Sequence, residues 1–175
     1  SPLSLSPLSL SSLSPLSLPN SANPLPQAIH HMIEIYLDPD SLPPASATLP
    51  ATGPEPEAVR TARQLRGELL DAKPAQLALL EAYELLLGAS KASVEAALVK
   101  FTEVLTADTN SVSALLGSSH ALVLLKQDAK ARNHLKRIAK MQYNSEEAEE
   151  LERSYLLLAD IYVQVVQAVP LNEFV

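Results

Sequence analysis

Four histidines and one serine-rich helical stretch are the residues in this 175-residue chain whose types and spacing could do chemistry. His31 with Glu34, or His30 with Glu34, stands at the three- or four-residue spacing that puts two ligands on one side of a helix, as in a zinc site. A third ligand is missing from the pattern, and no His-Glu-x-x-His sequence occurs. These histidines are therefore read as surface or capping residues. Gly117-Ser118-Ser119-His120 places a hydroxyl beside an imidazole, but it falls inside a helical stretch and lacks the strand-to-helix turn that exposes a serine nucleophile. His134 lies at the edge of an apolar helix face, where packing is its expected role. The four glycines are isolated, so no phosphate-cradling loop is present, and cysteine is absent, which removes thiolate ligands, a cysteine nucleophile and any disulfide framework. No catalytic, cofactor or metal site is predicted, and the chain is read as a non-enzyme.

The remaining chemical feature is a cluster of cations, Lys126, Lys130, Arg132, Lys136, Arg137 and Lys140, followed by Glu146, Glu147, Glu149, Glu150 and Glu152. The plainest account is a solvated outer face partly neutralised by those glutamates. A sharper one is contact with an acidic partner or with membrane head groups, for which Lys130, Lys136, Arg137 and Lys140 are the candidate partner-binding residues. Nucleic acid fits worst. The net charge is −7, and no aromatic residues interleave the cations to stack on bases.

The elements that carry these residues follow from composition and period. Hydrophobic residues make up 47% of the chain but aromatics only 4%, so the core must be built of Leu, Ala, Val and Ile, which suits helices. No apolar run reaches the roughly 18 to 20 residues that cross a bilayer. The chain has no initiator Met and is read as a piece of something longer. Residues 1–26 repeat Ser-Pro-Leu-Ser-Leu three times and are expected to form a disordered, low-complexity arm. Helices are predicted at about 27–37, 57–70, 76–88, 93–107, 111–125, 128–141 and 146–168, with a Pro-rich loop over 38–56 and with Asn110, Asp128 and Asn144 as N-caps.

Two helix pairs overlay at a 34-residue offset: Ala97, Phe101 and Val104 correspond to Ala131, Leu135 and Ile138. That period, with a small Ala at the crossing and a large apolar residue four positions on, is the mark of the tetratricopeptide repeat. Ala62, Arg66, Leu69 and Pro74 fit one unit earlier, except that Arg66 stands where an aromatic belongs. Tyr155, Leu158, Ala159 and Tyr162 reproduce the first-helix half of a last unit, and Tyr83, Leu115 and Leu122 are the packing residues expected on earlier first helices. The fold class is thus all-α, a solenoid of antiparallel helix pairs over 27–175: about three pairs and one further helix. The first helices, taken as 27–37, 76–88, 111–125 and 155–168, contain no Lys or Arg, which argues against a clamp for carboxylate-ended peptides. Their apolar inner face predicts filling by another helix, a loop of the same chain or a neighbouring subunit.

The stretches IEIYLDPD (33–40), VEAALVKFTEVL (94–105), SVSALLG (111–117), LLKQDAKARNHLKRIAKM (124–141) and SYLLLADIYVQ (154–164) resemble the C-terminal half of the tetratricopeptide repeat protein 21 family, the large tetratricopeptide subunit of intraflagellar transport complex A. The resemblance covers roughly 29–164. It implies a non-enzymatic scaffold in a multi-subunit hetero-complex of the cilium or flagellum and its base, on the cytoplasmic side. Such a subunit would touch the β-propeller-bearing subunits, support retrograde transport and bring membrane cargo into the cilium. No cofactor, nucleic acid or transmembrane segment is implied. The other reading is a soluble adaptor that binds short peptides or helices in an apolar groove.

Overall fold

The computed structural model describes residues 24–44, 46–69, 72–88, 90–142 and 144–168, and in these the chain is all-helical. The Ser-Pro-Leu repeats and the sequence after Ala168 lie outside the described residues. Seven helices follow one another there: α1 (Pro24–Tyr36), α2 (Glu57–Gly67), α3 (Pro74–Leu87), α4 (Lys91–Ala107), α5 (Val112–Leu124), α6 (Asp128–Ile138) and α7 (Ala148–Ala168). Helix α1 begins inside the arm expected over 1–26, so the boundary moves to residue 24. Short 3-10 turns occupy Pro39–Ser41 and Ser145–Glu147.

Local chemistry sets the helix ends. Pro74 opens α3, where a missing N–H costs nothing. Ser90 and Ser93 form a reciprocal capping box at α4, and Ser111 accepts from the Ala114 N–H at α5. Two predicted caps are therefore corrected: Ser111, not Asn110, caps α5, and Asp128 sits in the first turn of α6 behind Gln127, with no side-chain cap bond. Asn144 precedes the 3-10 turn, and its carbonyl accepts from Glu147 N–H at 3.1 Å. Helix α5 ends in a Schellman motif, in which Gln127 N–H donates to Leu122 O and Lys126 N–H to Val123 O. Lys126 takes the left-handed conformation there, φ 61°, which glycine adopts without strain.

Pairing follows the 34-residue period. Helices α1 and α2, α3 and α4, and α5 and α6 pack as antiparallel hairpins, and α3 touches α5 as α5 touches α7, so the first helices form a continuous layer. Three apolar clusters join each hairpin to the next first helix. Ile33, Leu37, Val59 and Ala62 meet Leu80 and Leu87 in one; Leu86, Val94, Ala97 and Phe101 meet Ala114, Ala121 and Leu124 in the second; Leu115, Leu122, Ala131, Leu135 and Ile138 meet Leu157 and Ile161 in the third. Ala97 and Ala131 are fully buried equivalents. Helix α5 supplies both its neighbours, which explains why it carries no formal charge: every residue from Val112 to Leu124 except Ser113 and His120 is buried. Each unit is stabilised by its neighbours rather than by its own hairpin alone.

Helix α7 departs from the expected packing. Its core side is Ser154, Leu157 and Ile161, while Tyr155, Ala159 and Tyr162 are exposed. Of the four residues predicted from the repeat template, Leu158 packs against the core and the other three face away from it, and no second helix of this unit is among the described residues. Leu156, Val163, Val165 and Val166 extend that open apolar face.

Candidate protein-interaction site

The histidines do not assemble a reactive centre. His31 Nδ1 lies 3.0 Å from Glu34 Oε2 on the exposed side of α1, and the described residues contain no group of three metal-capable side chains. Ser118 Oγ is 3.2 Å from His134 Nδ1, yet the hydroxyl donates to Ala114 O at 2.6 Å and is buried between helices. Ser119 likewise donates to Leu115 O. Both serines satisfy themselves on the preceding turn, a common state for hydroxyls inside helices. His134 packs half-buried, as its place at the edge of the α6 face implied, and burial with the Arg137 charge beside it lowers its pKa.

His120 has an environment that sequence reasoning missed. Its Nε2 is buried without a hydrogen-bond partner, and burial, helped by the Arg153 charge, pushes its pKa down from 6.5 to about 4. The unfolded chain therefore binds this proton below pH 6.5 and the folded chain resists it. Stability contributed by neutral His120 is complete above pH 6.5 and is lost as pH falls toward 4. Between pH 7 and pH 5 the loss should be about 2 kcal/mol in urea unfolding, with His134 adding in the same direction, and a His120→Leu variant should show a distinctly flatter profile. An unchanged pH slope in that variant would show that His120 is hydrated in solution.

Part of the helix stack is covered by the chain itself. The Pro-rich segment after α1 turns through an Asp38-capped 3-10 turn and lays Leu42 and Leu49 against the α3–α5 cluster. It is fixed further along where the Lys91 N–H donates to Pro50 O at 2.9 Å. At its start, Asp38 and Asp40 reach Arg153 of α7 at 3.3 and 3.7 Å, and Glu149 holds the same guanidinium at 2.8 Å. The reading that the first helices lack cations is thereby corrected: α7 begins at Ala148, so Arg153 belongs to it, and this one cation clamps carboxylates of the same chain. Tyr83 secures the layer next to it. Its hydroxyl donates to Ser113 O at 2.8 Å, its ring meets Phe101 edge-on at 5.1 Å, and burial raises its pKa, with the nearby Glu150 charge acting in the same sense.

The outer side is basic. Lys130, Lys136 and Arg137 are exposed on α6, away from Ala131, Leu135 and Ile138, and Lys140 is exposed in the turn that follows it. Arg132 turns instead toward α7, its guanidinium 6.0 Å from the centre of the Tyr162 ring. Surfaces available to a partner among the described residues include this basic face and the exposed apolar face of α7. No helix among the described residues is long and apolar enough to cross a membrane.

Residues 61–173 match the family model described as the tetratricopeptide repeat protein 21 C-terminal ARM domain. Tetratricopeptide repeat protein 21B of Mus musculus is 44% identical over 154 residues, covering 78% of this chain and 12% of that protein. The Homo sapiens 21B protein is 42% identical with the same coverage, and Homo sapiens tetratricopeptide repeat protein 21A is 41% identical over 150 residues, covering 78% of this chain and 11% of its own length. The chain thus spans about an eighth of the length of these curated relatives. With the helix-pair stack and its 34-residue register already in place, the family match leads to one conclusion: the chain belongs to the tetratricopeptide repeat protein 21 family.

Proposed function

We propose that this chain is a segment of a non-enzymatic scaffold subunit of intraflagellar transport complex A, acting in the cilium or flagellum and at its base, on the cytoplasmic side. It supports retrograde transport and cargo import through contacts with other subunits, β-propeller-bearing ones among them, and uses no cofactor. The observation that carries this reading is the exposed face of α7, where Tyr155, Leu156, Tyr162, Val163, Val165 and Val166 leave an apolar surface that no other described residue covers. Apolar patches of this kind are characteristic of surfaces that other protein covers.

The adaptor reading is less well supported, because Leu42 and Leu49 of the same chain already pack against the α3–α5 cluster and Asp38 already holds Arg153. Affinity purification of the full-length protein from ciliated cells separates the two. The scaffold reading expects a set of co-purifying subunits in fixed stoichiometry; a heterogeneous mixture of short-motif ligands would replace it with the adaptor.

A further inference from the structure

We infer that the outer face of α6 is a docking site for an acidic segment of a partner protein; the inference rests on the scaffold reading and names the chemistry of one of its contacts. Lys130, Lys136 and Arg137 lie on the side of the helix away from its core residues, Lys140 is exposed in the turn just after it, and the rise from Lys130 to Arg137 is about 10 Å. None of the four is in an ion pair. The ion pairs formed by lysine and arginine among the described residues engage Arg63, Arg66, Lys91, Lys100 and Arg153 instead. Two of the four α6 cations take neutral partners, Lys130 Nζ donating to Gln127 Oε1 at 2.8 Å and Arg137 Nη2 to Asn110 Oδ1 at 2.9 Å.

Carboxylates are not scarce. The chain has 20 acidic against 13 basic residues, and the start of α7 is rich in glutamate. Two of those glutamates are directed elsewhere: Glu149 holds Arg153, and Glu150 accepts from the Ser113 hydroxyl. Helix electrostatics account for only part of the cluster. Lys136 and Arg137 lie in the last turn, where the helix dipole favours a cation, but Lys130 lies in the first turn, where it is disfavoured. Lys126, just before the helix, occupies a left-handed position at which glycine would be unstrained. The fold thus carries a concentrated positive face in a chain of net charge −7, and the complementary surface is acidic.

The same face lacks what a membrane or a nucleic acid would need. A helix that lies on a bilayer sets large apolar residues beside its cations, and the exposed large apolar residues here sit on α1, α4 and α7, not on α6. No aromatic side chain interleaves the cations for base stacking.

The test is binding of a fluorescein-labelled deca-glutamate peptide to the 175-residue chain, followed by anisotropy at low and physiological salt. The docking face predicts salt-sensitive binding, weakened at least tenfold in Lys130→Gln/Arg137→Gln/Lys140→Gln. It also predicts less than a twofold change in Arg60→Gln/Lys73→Gln/Lys91→Gln, which removes the same charge elsewhere. Should the triple variant lose its helical circular dichroism, Lys136→Gln/Lys140→Gln serves in its place, with at least a threefold loss expected. Equal weakening by both sets of substitutions, no peptide binding, or binding only to phosphatidylserine vesicles would overturn the inference. Any of those results beside an intact purified complex would leave the scaffold reading standing.

Discussion

Replacing Arg66 with methionine should lower the unfolding free energy by about 3 to 5 kcal/mol, the cost of stranding a buried charge. The charge is that of Glu84, which α3 turns into the interior at 2% exposure. Arg66 reaches it from α2 with two parallel bonds, Nε to Oε1 at 2.6 Å and Nη2 to Oε2 at 3.1 Å. Arg63 stands 3.4 Å away but is half-exposed and already bound to Glu55, so it compensates only in part. Removing both members of the pair, as Arg66→Met/Glu84→Leu, should return most of the loss, because it is the unpaired carboxylate and not the missing bond that is expensive. Urea titrations of the two variants and the parent chain decide it. Equal midpoints for the single variant and the parent would mean that Glu84 finds water or another cation.

The second large effect is expected at Gly117. A methyl group there would lie 2.3 Å from Phe101 Cζ and 2.4 Å from Cε1, well inside contact distance. Phe101 cannot retreat easily, being fully buried and held edge-on by Tyr83. Alanine would gain about 1 kcal/mol of helix propensity over glycine, yet overpacking a fixed ring costs about 1 to 3 kcal/mol and sometimes more. Gly117→Ala is therefore expected to destabilise by about 2 kcal/mol in spite of its better propensity. In Gly117→Ala/Phe101→Leu the added methyl should cost much less than it does against Phe101, giving a coupling above about 1 kcal/mol in a double-mutant cycle. A Gly117→Ala variant as stable as the parent would remove the close α4–α5 crossing from the account.

These two sites show where the sequence was legible and where it was not. The Ala97 and Ala131 equivalence could be read directly, because a repeat period records packing between neighbouring helices. Arg66 stood out as a departure from the template, but its partner did not, since nothing in a helix-periodic pattern marks Glu84, 18 residues on, as inward-facing. Gly117 was visible only as an isolated glycine; that its bare Cα admits the Phe101 ring follows from the crossing distance of α4 and α5. The clamp between Asp38 and Arg153 joins residues 115 apart, beyond any spacing rule, and it was hidden further by placing the start of the last first helix at 155. Caps missed by one residue, as at Asn110 and Ser111, reflect the ordinary uncertainty of helix ends. The α7 face was read for its apolar content, while the residues it buries among the described ones, Ser154, Leu157 and Ile161, were not picked out by the repeat template.

The claim that matters most is that this protein works through the surfaces of a helix-pair stack and that the open face of α7 is covered in the assembled complex. Subunit stoichiometry in the particle recovered by full-length protein carrying Leu156→Glu and Val166→Glu tests it most directly. Both residues are strongly exposed, 61% and 71%, so the changes should leave the described fold intact. The account predicts a particle depleted in one or more partner subunits relative to the parent. A complete particle of unchanged stoichiometry would contradict it.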